Sequence, residues 1–119
     1  MLSGSCHCGA VTVTVPRKPR RLTSCNCSIC RRYGALWAYY KPREVRVACA
    51  KGKTASYAWG DGSLRFLRCK DCGCVTHWEP VQRDPDGRMG VNARMFDPGI
   101  VETVPVRHFD GATTWRFLD

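Results

Sequence analysis

Eight of the nine cysteines in this chain fall into three short runs: "SCHCG" at 5–9, "SCNCSIC" at 24–30 and "RCKDCGC" at 68–74. No other feature constrains the fold as strongly. Cysteines one or two residues apart rarely bridge each other, because disulfide geometry is specific, but they readily share a metal ion. The total is odd, and the opening "MLSGSCHCGA" has neither the basic start nor the apolar run of a secretion signal. Reduced thiolates in a soluble, cytoplasmic protein are therefore expected, with metal as the organising element.

The runs are not equivalent. Cys6 and Cys8, and Cys69 and Cys72, form two-thiolate knuckles, each ending in a glycine (Gly9, Gly73). Glycine reaches the positive φ that lets backbone fold round an ion. Two such knuckles complete a four-thiolate site, and a closed tetrahedral set is the pattern of structural zinc. That zinc would tie the chain start to its middle, a useful staple for a small core. The middle run offers Cys25, Cys27 and Cys30 and no glycine, and Arg31 and Arg32 follow. Three protein ligands with an open fourth position is the catalytic zinc pattern. The open position suits water, hydroxide or a substrate thiolate. A distant fourth ligand would instead close the site, and Cys49, Cys74, His77 and His108 are the candidates. An iron–sulfur cluster is a further use of such thiolates, less suited to paired knuckles.

The remaining sequence reads as strands. "AVTVTVP" (10–16), "ALWAYY" (35–40), "EVRVAC" (44–49), "CVTHWEP" (74–80), "MGVNARMF" (89–96) and "TTWRFLD" (113–119) are the candidates. "TASYAWG" and "SLRFLRC" flank "GDGS" as a hairpin. "SICRRYG" allows one helical turn stopped by Gly34, "QRDPDGR" is a loop, and "DPG" (97–99) is a turn. No window carries a sustained helical period, and no repeat or boundary divides the chain. One mainly β domain over 1–119, with little helix and two zinc ions, is expected. Cys49 and Cys74 are assigned to packing, and His7 to solvent. His77 reads as a hydrogen-bonded strand histidine before it reads as a base, and Glu79 is weighed alike. Trp37, Tyr39, Tyr40, Trp59 and Trp78 are assigned to the core, one or two of them walling the site. Asn92 and Arg94 alternate onto one strand face, which is either a polar pair facing a substrate or simply the solvent face.

The formal charge is +9. Seven thiolates and two zinc ions would lower it to about +6. A basic surface of that size serves solubility and acidic partners. Nucleic-acid binding needs a denser stripe with interleaved aromatics than "PRKPRR" (16–21) supplies. No apolar stretch approaches a membrane span of ~20 residues.

"GSCHCGAVTVTV", "SCNCSIC", "FLRCKDCGC" and "VNAR", in this order and spacing, resemble the glutathione-dependent formaldehyde-activating enzyme (GFA) family, whose human-type relative is the centromere protein V domain. The likeness runs from about residue 3 to about residue 97. It implies a β-tent fold of small antiparallel sheets around zinc. It implies a structural zinc on Cys6, Cys8, Cys69 and Cys72, and an active-site zinc on Cys25, Cys27 and Cys30. The implied activity is that of a carbon–sulfur lyase, reversibly joining formaldehyde to glutathione as S-hydroxymethylglutathione. The partners are then a small thiol and a small aldehyde, and Arg31, Arg32 and Arg94 are the groups offered to glutathione's carboxylates. A rival reading is a non-catalytic zinc-binding module with a basic partner-binding surface. A third is metal or thiol-redox sensing at the open site.

Overall fold

The computed structural model describes residues 1–119. It is mainly β, with strands in two sheets and two short helices. The smaller sheet is antiparallel and holds β1 (Leu2–Ser5), β2 (Thr12–Val15) and β5 (Arg46–Ala48) in the order β1-β2-β5. The larger holds β3 (Leu22–Cys25), β4 (Trp37–Tyr40), β6 (Thr54–Ala58), β7 (Leu64–Cys69), β8 (Val75–Pro80), β9 (Met89–Asn92), β10 (Val106–Asp110) and β11 (Arg116–Phe117). Its order is β11-β10-β3-β4-β9-β8-β7-β6. All its pairs are antiparallel except β3 with β10, which run parallel. Helix α1 is the single turn Cys30–Tyr33, and α2 spans Pro98–Thr103. Neither helix is long and apolar enough to cross a membrane.

Strand alternation divides the interior. Along β4, Ala38 and Tyr40 point into the main core, where they meet Val13 and Val15 of β2, Leu22 of β3 and Val91 of β9. Trp37 and Tyr39 point to the opposite face of the sheet, toward the middle cysteine run. The same parity holds on β7 and β8. Phe66 and Trp78 face the cysteine side, whereas Leu67, His77 and Glu79 face a smaller hollow beside β5.

Several local expectations are corrected. The strand expected over 89–96 stops at Asn92, and Ala93–Met95 form a 3-10 turn. The cause is the Asn92 side chain, whose Oδ1 accepts from Arg94 N (3.2 Å) and Leu36 N (3.4 Å) while its Nδ2 donates to Val75 O (2.9 Å). The "DPG" turn opens α2: Asp97 accepts from Gly99 N at 2.9 Å as N-cap, and Pro98 takes the first helical position. The final strand shrinks to two residues, and β1, β3 and β10 are additions to the reading. Cys49 is exposed rather than core, because β5 is an edge strand with no buried residue.

Gly90 on β9 sits under the Trp78 indole, and a Cβ there would lie 2.7 Å from Trp78 Cδ1. Gly90→Ala must displace the ring and is expected to cost about 1–3 kcal/mol, read by urea denaturation.

Candidate metal centres and the cavity beside them

The three runs fold into two sulfur clusters. Cys6, Cys8, Cys69 and Cys72 form one; Cys25, Cys27 and Cys30 form the other; within each, the sulfurs lie within 4.8 Å of one another. In the first, Cys6 Sγ is 3.7 Å from Cys8 Sγ, and Cys8 Sγ is 3.6 Å from Cys69 Sγ. Those spacings are far too long for a disulfide. They match the edge of a tetrahedron of thiolates around zinc, about 3.8 Å for a metal–sulfur bond of about 2.3 Å. Donor chemistry and spacing therefore fit a metal ion.

Local sequence builds each knuckle. Gly9 and Gly73 both take positive φ, +81° and +79°. Gly9 N donates to Cys6 O at 3.1 Å, and Gly73 N to Cys69 O at 2.9 Å. The Val11 amide donates to Cys6 Sγ at 3.3 Å. The Cys72 thiol is drawn down to about 5, chiefly by the Cys74 amide and then by that of Cys8. Cys74 is thus a backbone supporter of the cluster; its carbonyl accepts from Cys69 N at 3.0 Å.

The second cluster lies where β3 runs into α1. Cys25 ends β3, and Cys30 opens the helical turn that Gly34 closes in the left-handed region. The Cys30 amide donates to Cys27 Sγ at 3.4 Å, and Trp37 Nε1 donates to Cys30 Sγ at 3.4 Å. Cys25 is drawn down to about 6, first by its hydrogen bond with Cys30, whose own thiol the same contact pushes up. No fourth cysteine, histidine or carboxylate joins these sulfurs. Each distant candidate is engaged elsewhere. Cys49 and His77 line the hollow by β5. Cys74 packs at the first cluster. His108 is exposed and pairs with Asp119 at 2.8 Å. Burial pushes His77 down to about 4, so it is neutral at pH 7, and its Nδ1 bonds Thr76 Oγ1 at 2.8 Å. Glu79 pairs with Arg65 at 2.9 Å.

A tight turn after β10 presses against this cluster. A Cβ on Gly111 would lie 2.6 Å from Cys25 Sγ and 3.3 Å from Cys27 Cβ. The turn is held by Asn26, between two of the cysteines, and by Asp110. Asn26 Nδ2 donates to Asp110 Oδ1 at 3.0 Å, and Asn26 Oδ1 accepts from Ala112 N at 3.0 Å. Asp110 also accepts from Thr114 N and Thr114 Oγ1, at 3.1 and 2.9 Å. Its hydrogen bonds, that from Asn26 first, hold its carboxyl below the ordinary aspartate value. Gly111→Ala is expected to remove one metal equivalent per chain while sparing the four-thiolate cluster. Metal analysis alongside circular dichroism checks this.

All three cysteines line a cavity of about 830 Å³. Trp37 and Phe66 are buried and form its floor, while Trp59, Trp115 and Phe117 stand exposed at its mouth. Its one cationic side chain is Arg88, over the Tyr39 ring at 4.9 Å, and its one carboxylate is Asp61. Arg31, Arg32 and Arg94 are exposed and lie outside this lining. Arg32 turns back to Ser28 O (2.7 Å), and Arg94 Nε donates to Gly34 O (2.6 Å). Asn92 is buried and serves the backbone, so it and Arg94 do not form a polar pair in the cavity.

Residues 1–109 match the family model described as glutathione-dependent formaldehyde-activating enzyme. A crystal structure of a Rhodobacter sphaeroides protein, a structural-genomics target, superposes with a TM-score of 0.71 at 29% identity, covering 88% of this chain and 99% of that one. No curated protein matches the chain.

Proposed function

This chain belongs to the glutathione-dependent formaldehyde-activating enzyme family, and from that premise we propose that it is a zinc-dependent carbon–sulfur lyase. It acts in the cytoplasm on the adduct of a thiol and a small aldehyde, as a single domain over 1–119. S-hydroxymethylglutathione is the family's example of such an adduct. In the breaking direction the carbon–sulfur bond cleaves and sulfur leaves with the electron pair. The hydroxyl proton is lost as the carbonyl forms, and the thiolate takes up a proton. No oxidant or reductant enters.

The observation that carries this reading is the second cluster: three cysteines, no fourth side-chain ligand, and a cavity that all three line. Cys25, Cys27 and Cys30 would hold the working zinc, and Cys6, Cys8, Cys69 and Cys72 a structural one. Zinc at the open site supplies stabilisation of a thiolate at neutral pH. The protein's own groups do the rest. The Trp37 and Cys30 N–H groups donate to cluster sulfurs and temper their charge. The aromatic walls exclude water, and the cavity holds thiol and aldehyde together. Arg88 is the cation the cavity offers a substrate carboxylate. Arg31, Arg32 and Arg94 would serve only a substrate group that reaches beyond it. A purely structural module would close its second zinc site with a fourth side chain, and none is present.

The test is exchange NMR on labelled formaldehyde with glutathione, 2-mercaptoethanol and benzyl mercaptan in turn, with and without catalytic zinc-loaded protein. Acceleration above the uncatalysed rate with at least one thiol is expected. No acceleration with any of them overturns the reading.

A further inference from the structure

The cavity over the second cluster is aromatic to a degree that a glutathione site does not require. Eight aromatic side chains line it, against one cation and one carboxylate. Single exposed aromatics are ordinary, but here three, Trp59, Trp115 and Phe117, ring one opening, with 46%, 72% and 38% of each exposed. Trp115 also carries a positive φ of 61°, the sole non-glycine residue to do so. Such strain in a bulky residue persists only where surrounding structure imposes it. Here the Trp115 amide is tied to Asp110 O at 2.7 Å, and the indole stands edge-on to Phe109 at 5.2 Å. Phe117 packs on the same Phe109 ring at 5.1 Å. Gly111, Trp115 and Phe117 lie beyond residue 109, where the family match ends. Two of the three mouth aromatics, Trp115 and Phe117, are therefore outside the matched family region, while Trp59 lies within it.

Charge points the same way. Glutathione carries two carboxylates and an ammonium at neutral pH. Arg88 can pair with one carboxylate, and no second cationic side chain lines the cavity to take the other. We infer that the cavity takes a thiol–aldehyde adduct bearing an aryl group and no more than one carboxylate, with the aryl group held among Trp59, Trp115 and Phe117. This rests on the lyase reading for the reaction, while the binding preference is measurable without it.

The experiment is calorimetric titration of the zinc-loaded full chain with two unreactive thioethers, 3-(benzylthio)propanoate and S-methylglutathione. The aryl probe is expected to bind at least tenfold more tightly. Trp115→Gly removes the ring and suits the positive φ. It should weaken the aryl probe at least fivefold and move S-methylglutathione less than twofold. Equal or tighter binding of S-methylglutathione, no binding of the aryl probe, or an aryl affinity untouched by Trp115→Gly would each overturn the inference. Exchange NMR then locates the aryl group, comparing formaldehyde with benzyl mercaptan against benzaldehyde with 2-mercaptoethanol. If the aryl probe binds as expected but neither adduct exchanges faster, the lyase reading fails and the aryl-binding cavity stands.

Discussion

Cys69→Ser is expected to remove one of the two metal ions proposed per chain and to destabilise the whole fold. Cys69 ends β7 with none of its surface exposed, and its sulfur lies 3.6 Å from Cys8 Sγ, sixty-one residues earlier in the chain. The four-thiolate cluster joins the start of the chain, beside β1 and β2, to the β7–β8 end of the larger sheet. Around it the third core cluster is small: Cys6, Val11 and Cys69 are its buried members. With so little apolar packing there, metal binding must supply the stability. Apparent zinc affinities in small folded units are worth about 10–16 kcal/mol, part of which is folding free energy. Replacing one buried thiolate with a hydroxyl is expected to cost at least about 3 kcal/mol and lower the melting temperature by more than about 10 °C. Differential scanning calorimetry with metal analysis reads both quantities. Unchanged stability would mean that this cluster is not a structural staple.

What the sequence made legible was local. The knuckle spacings, the glycines after Cys8 and Cys72, and the Gly34 stop depend on a few neighbouring residues, and each appears in the fold as read. Alternation marked β2 and β5, and the "GDGS" turn marked the β6–β7 hairpin, for the same reason. The misses are long-range. β10 pairs in parallel with β3 across more than eighty residues, so neither strand announces the other. The Asn26–Asp110 clamp spans eighty-four positions and rests on two residue types common in any loop. The placement of the arginines was not legible either. Arg31 and Arg32 follow Cys30 closely, but the helical turn that buries Cys30 leaves them exposed to solvent. Arg88 reaches the cavity from the loop before β9, because β9 pairs with β4 and places Met89 opposite Tyr40. Nothing in "QRDPDGR" marks its last residue as a cavity cation. Asn92 was rightly singled out but misjudged in role: its buried amide makes three bonds that end β9 and begin the 3-10 turn.

Cys27→Ser is expected to abolish adduct exchange while leaving the fold in place. Cys27 is half-buried, its sulfur accepts from the Cys30 amide, and it lines the cavity. With serine there, two thiolates remain, too few to hold zinc against competing water and buffer. Metal content should again fall by one ion, but the ion lost is now the one proposed beside the cavity. Stability should fall far less than in Cys69→Ser, because Trp37, Ala35 and Phe66 keep that side of the sheet packed without metal. The melting temperature should drop by less than about 5 °C, near the shift that 1 kcal/mol produces. Adduct exchange should return to the uncatalysed rate, at least a hundredfold below the parent protein if the thiolate position is essential, about 2.7 kcal/mol of barrier. The two variants therefore make opposite pairings of the same measurements: one loses a metal and the fold, the other a metal and the chemistry. Equal unfolding of both would show that the two clusters share the structural role. Exchange that survives Cys27→Ser would move the reaction away from the three-cysteine cluster altogether.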